Sequence, residues 1–136
     1  MKPGMKITYK GDLRCDAVHL KSGNTLITDA PPDNHGKGEA FSPTDLLCTS
    51  LACCMTTLMG ITANEKGIIL GKIDADIEKI MASDPRRVIK INIDLQIEDK
   101  NYTDREKAIL ERSALTCPVA KSLHPDIEQH ITFSYV

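Results

Sequence analysis

The stretch from Ser42 to Gly67 constrains the fold more than any other part of the chain. Ser42-Pro43-Thr44-Asp45 has the order of a helix start, with Ser at the N-cap and Pro in the first helical position. Asp45 supplies an aspartate form of the capping box and suits the positive end of the helix. Apolar residues then recur at Leu47, Leu51, Cys54, Leu58 and Ile61, a spacing that marks one face of an α-helix. The helix is predicted to reach about Glu65, with Gly67 as its stop, a length of roughly 35 Å at ~1.5 Å per residue. The polar residues between Leu46 and Ala63 are Ser and Thr alone. A helix this apolar belongs in the middle of a molecule. It exposes more apolar surface than one small sheet covers, so a homodimer whose partner sheets help to enclose it is expected.

The flanking segments read as strands and shorter helices. Residues 6–28 form a meander broken at Gly11-Asp12 and Ser22-Gly23-Asn24, residues suited to hairpin turns. Residues 29–41 hold two prolines and two glycines and read as a loop of a length that is often functional. Ile73, Ala75 and Ile77 alternate with acidic residues. Ile89, Ile91, Ile93, Leu95 and Ile97 alternate with polar ones, so each strand buries one face in antiparallel fashion. Ser83-Asp84-Pro85 supplies the turn between them. Thr103-Asp104-Arg105-Glu106 is a second capping box, opening a helix that directs Ala108, Ile109 and Leu115 at the core. Pro118 stops that helix. A short helix follows with Cys117 at its N-cap, and Ile131, Phe133 and Tyr135 mark a last strand. Strands, long helix, two strands, helix and strand make an α+β chain. With 136 residues, no internal repeat and no dividing linker, one domain over 1–136 is expected.

A net charge of −2 and a pI of about 6.1 offer nothing to nucleic acid or an anionic membrane. With 4% aromatic residues and no Trp, a base-stacking surface is also excluded. No apolar segment follows Met1-Lys2-Pro3-Gly4, and no apolar run approaches the ~20 residues of a membrane span. A cytoplasmic location is expected.

The five cysteines are Cys15, Cys48, Cys53, Cys54 and Cys117. An odd number in a reducing compartment argues against a disulfide framework. Free cysteine on a buried stripe is first of all packing, which is one reading of Cys54. Cys53 points about 100° away around the helix, and Cys48 also misses the stripe, so both read as filler. Cys117 lies directly before proline at a helix N-terminus, where amide groups and the helix dipole favour thiolate. Should the two helices bring the Cα atoms of Cys54 and Cys117 within about 4.4–6.8 Å, a disulfide becomes feasible. One thiol then passes through sulfenic acid and the other closes the bond. Zinc is a weak rival, because no Cys-x-x-Cys or closely spaced His pair occurs among the cysteines and His19, His35, His124 and His130. His124 reads as a surface histidine. No phosphate-binding glycine loop and no Gly-x-Ser-x-Gly elbow is present.

Phe41 to Thr57 (FSPTDLLCTSLACCMTT) and Thr116 to Leu123 (TCPVAKSL), with Cys54 and Cys117 63 residues apart, resemble the OsmC/Ohr family of organic hydroperoxide resistance and osmotically induced proteins. The likeness spans essentially the whole chain and is closest to the OsmC-like branch. It implies antiparallel sheets wrapped around a long buried central helix in an intertwined homodimer. It also implies a two-cysteine peroxidase, with Cys54 peroxidatic and Cys117 resolving. It implies an arginine from the N-terminal strands, for which Arg14 is the candidate, and a glutamate near the start of the long helix. That position is Thr44 here, which leaves Asp45 next door, or Glu39 in the loop, to supply the carboxylate. The expected substrate is an alkyl or lipid hydroperoxide, met by Leu47, Leu51, Met55 and Leu58, and the expected reductant is a cellular dithiol. No cofactor or metal is implied. Two other readings stay open: a non-catalytic protein binding a small apolar ligand, and a thiol redox sensor.

Overall fold

The computed structural model describes residues 1–136. Six strands and three α-helices follow the predicted order: β1 (Met5–Gly11), β2 (Arg14–His19), β3 (Thr25–Asp29), α1 (Pro43–Lys66), β4 (Ile73–Ala82), β5 (Arg87–Ile97), α2 (Asp104–Leu115), α3 (Pro118–Ser122) and β6 (Glu128–Tyr135). Two compact units divide the chain, Met1–Leu47 and Cys48–Val136.

In the first unit β1, β2 and β3 form an antiparallel sheet in that order. Asp12 and Leu13 both adopt positive φ (53° and 63°), which makes the two-residue turn that suits a twisted hairpin. The turn sets Arg14 at the first position of β2, and the β2–β3 register sets Arg14 directly opposite Asp29. The loop after β3 is built rather than slack. A single 3-10 turn runs over Pro32–Asn34, and Gly36 and Gly38 donate backbone hydrogen bonds to Pro31 and Ala30. A Cβ at Gly36 would lie 1.7 Å from the Ala30 carbonyl oxygen, so only glycine lets the loop close. The two buried side chains of this unit are Asp29 and Ser42.

In the second unit the sheet order is β4-β5-β6. β4 and β5 pair antiparallel, whereas β6 joins β5 in parallel because α2 and α3 carry the chain across between them. The alternation predicted for β5 holds from Ile91 to Ile97, all four apolar residues being buried. It fails at Ile89, which is exposed while Val88 is buried. A register shift between Ile80 and Met81 skips Ile89 and turns the strand end over, as a β-bulge does.

Both capping boxes form. Ser42 Oγ accepts the Asp45 N–H at 3.1 Å and Asp45 Oδ2 accepts the Ser42 N–H at 2.9 Å. Thr103 and Glu106 repeat the arrangement at α2. The helices are rotated from their predicted orientations. On α1 the buried residues are Cys48, Leu51, Ala52, Met55, Met59 and Ala63, while Leu47 and Ile61 of the predicted stripe are exposed. The face is offset by one residue, about 100°. An almost uniformly apolar helix has no polar side to fix its rotation. On α2 the core takes Leu110 and Ala114, while Leu115 is exposed. Contrary to the sequence expectation, α1 is long and apolar enough by length and composition to cross a membrane. Its buried Cys48, Leu51, Ala52, Met55, Met59 and Ala63 join the sheet residues Ile91, Ile93, Leu95 and Ile97 in the core of the second unit.

Candidate active site

The two cysteines singled out in the sequence come together. Leu110, Ala114 and Cys117 fall at i, i+4 and i+7, so the buried face of α2 leads straight to the Cys117 thiol, which is 0% exposed. Cys54 sits at the edge of the buried face of α1, half-buried and packed against the core. The side chains of Cys117 and Cys54 lie near enough for the two sulfurs to influence one another. Of the residues expected to enclose this thiol, Leu51 and Met55 are buried and Leu58 is packed partly against the core.

Cys117 occupies the predicted N-cap of α3, its Sγ accepting the Ala120 N–H at 3.3 Å. The expected preference for thiolate is reversed. Burial pushes the Cys117 thiol up, the Ala120 hydrogen bond opposes it, and the neighbouring Cys54 sulfur adds to the rise. Cys117 thus stays a thiol at neutral pH. An apolar site outweighs one short helix turn.

Cys48 is buried filler as expected, but Cys53 is exposed on the opposite side of α1, which overturns its reading as packing. His124 is exposed, and its Nδ1 accepts the Asp126 N–H. No group of three or more His, Cys, Asp or Glu side chains is placed to hold a metal ion.

In the first unit Arg14 has a carboxylate partner that the sequence reading missed. Its Nε and Nη2 donate to the two oxygens of Asp29 at 2.6 and 2.7 Å. Asp29 is only 2% exposed, and its Oδ2 also accepts the Glu39 N–H at 3.1 Å. The Arg14 hydrogen bond holds the Asp29 carboxyl below its ordinary range against the effect of burial, with the guanidinium charge assisting. Glu39 Oε1 stands 3.9 Å from Arg14 Nη2, a looser contact at an exposed side chain. Asp45, the other candidate, has Oδ2 on the Ser42 N–H as a helix cap. The β2–β3 hairpin closes with the His19 N–H on the Asn24 carbonyl, and counting outward from that pair puts Arg14 opposite Asp29, a register that the Ser22-Gly23-Asn24 turn signal alone does not give.

A family model described as OsmC-like protein matches residues 36–131. The chain is similar to a crystal structure from Psychrobacter arcticus 273-4, provisionally named an osmotic stress induced and detoxification response protein. The two are 51% identical, with a TM-score of 0.92 over 98% of this chain and 96% of the other. An OsmC-like protein from Mycoplasma pneumoniae shares the fold at 18% identity and TM-score 0.77, covering 100% and 96% of the two chains. So does an organic hydroperoxide resistance protein OsmC from Legionella pneumophila, at 19% identity and TM-score 0.71, covering 96% and 94%. Comparison with curated proteins gives no match. With its cysteine pair, its fold and this family match in agreement, the chain belongs to the OsmC-like family.

Proposed function

We propose that this protein reduces organic hydroperoxides through Cys54 and Cys117. The observation that carries the reading is the contact of a buried, protonated Cys117 with a half-buried Cys54 in apolar surroundings. The Cys54 thiolate attacks the terminal oxygen of the hydroperoxide and the O–O bond breaks. The alkoxide leaves and is protonated to the alcohol, while Cys54 becomes a sulfenic acid. Cys117 sulfur then attacks the Cys54 sulfur, the S–O bond breaks, and hydroxide leaves with the Cys117 proton as water. A dithiol reductant restores both thiols and is itself oxidised to a disulfide. An apolar setting rewards an apolar tail, which favours alkyl or lipid hydroperoxides over hydrogen peroxide. In this reading Arg14, fixed by Asp29, organises the Cys54 thiolate. The protein is cytoplasmic and works as an intertwined homodimer of single 1–136 domains.

A redox sensor with little turnover is the second reading, favoured by the use of Asp45 as a helix cap and by Thr44 at the position of the family glutamate. Consumption of cumene hydroperoxide with a dithiol reductant tests the choice. Sustained turnover that is lost in Cys54→Ser supports the peroxidase. A single oxidation event without turnover supports the sensor. No reaction of the cysteines with the hydroperoxide contradicts both.

A further inference from the structure

The resolving thiol has a second task. α3 is only five residues long, has no buried residue and begins with Pro118, which has no N–H. Its first turn therefore leaves the N–H groups of Val119 and Ala120 without helical partners, and the Cys117 sulfur accepts the Ala120 N–H at 3.3 Å. The further ties of this turn are the Lys121 N–H to the Cys117 carbonyl at 3.2 Å, the Ser122 hydroxyl to the Pro118 carbonyl at 2.8 Å and the Gln129 amide to the Ala120 carbonyl at 3.1 Å.

We propose that closing the Cys54–Cys117 disulfide withdraws this cap, so that oxidation loosens α3 and reduction re-forms it. The inference rests on the disulfide step proposed above. An S–S bond of about 2.05 Å with a dihedral near 90° requires the two free sulfurs to close from a non-bonded approach to bonding distance. One side has to move. Cys54 belongs to a 24-residue helix anchored by Leu51, Met55 and Met59, whereas α3 is short and superficial. The Cys117 side yields, and its sulfur turns from the Ala120 amide toward Cys54. The oxidised protein thereby presents a loosened Pro118–Ser122 segment next to the bond that a reductant has to attack.

Amide hydrogen exchange of Val119, Ala120 and Lys121 in the full chain tests this, with α2 and β5 amides as the control for folding. Oxidation by one equivalent of cumene hydroperoxide is expected to speed their exchange roughly five- to tenfold, the scale of losing a helix cap. Cys117→Ala, which removes the cap, is expected to match the oxidised protein without any oxidant. Cys117→Ser, whose hydroxyl caps well but closes no disulfide, is expected to keep the reduced-state protection before and after oxidant. Unchanged exchange in a protein whose Cys54–Cys117 bridge is confirmed by peptide mapping overturns the switch and leaves the peroxidase standing. Mapping that finds no bridge overturns the disulfide step and the switch with it.

Discussion

At the scale of single residues, the chemistry is set by surroundings rather than by residue type. Cys54 and Cys117 are both thiols, yet the buried Cys117 is held protonated while Cys54 lies at the rim of the core. The proposed assignment of Cys54 as attacking thiol and Cys117 as resolving thiol, which the family likeness implies, is consistent with that asymmetry. Asp29 supplies the carboxylate for Arg14, and its effect is open to a direct test. Its carboxyl is depressed in the folded chain, so the stability it contributes is present above the unfolded value of about 3.9 and is lost as pH falls through the lower folded value. Asp29→Asn is expected to lower stability to urea at pH 7 and to flatten the acid unfolding of the wild type below about pH 4. Under the proposed role of Arg14, the same substitution is expected to lower peroxide turnover by roughly tenfold or more, because the guanidinium loses its bidentate anchor. Unchanged turnover in a variant with altered acid unfolding would make the pair structural only.

At the scale of elements, the caps, turns and strand alternation were legible in the sequence because their signals are local. Ser42, Asp45, Thr103 and Glu106 make the bonds that their order announces. Helix rotation was not legible. The α1 surface is apolar on nearly all sides, so tertiary packing alone selects Met55 and Met59 over Leu47 and Ile61. On α2 the small Ala114 and the thiol of Cys117 complete the buried stripe begun by Leu110, which hid it from a search for large side chains. The cysteine pair was found because the family motif marks it, and Asp29 was missed because its partner lies across a hairpin, 15 residues away. Met59, 0% exposed on α1, gives the strongest test of the observed rotation. Met59→Ala is expected to cost about 2–5 kcal/mol in chemical denaturation, the range for emptying a buried site. A loss below about 0.5 kcal/mol, the scale of a surface position, would contradict it.

At the scale of the whole molecule, the first 47 residues bury no apolar side chain, although Met5, Ile7, Tyr9 and Leu26 are all exposed on strands β1 and β3. The β1–β2–β3 register puts Ile7, Ala17 and Leu26 in one cross-strand row. A cavity of about 510 Å³ opens along Met5, Ile7, Ala17 and Leu26. A unit of this size with so little core of its own calls for a partner surface. The proposed homodimer meets that need, and light scattering is expected to give about 30 kDa, twice the 15.0 kDa chain. A stable 15.0 kDa species at micromolar concentration would contradict the assembly. The central claim is the division of labour between two thiols, and a single-turnover reaction tests it most directly. Reduced protein is mixed with one equivalent of cumene hydroperoxide, and the cysteine-containing peptides and the alcohol are quantified. The account predicts one equivalent of alcohol and a Cys54–Cys117 disulfide, with sulfenic acid trapped on Cys54 when Cys117 is changed to Ser. Sulfenic acid on Cys117 or Cys53 instead, or intact thiols beside unreacted hydroperoxide, would contradict it.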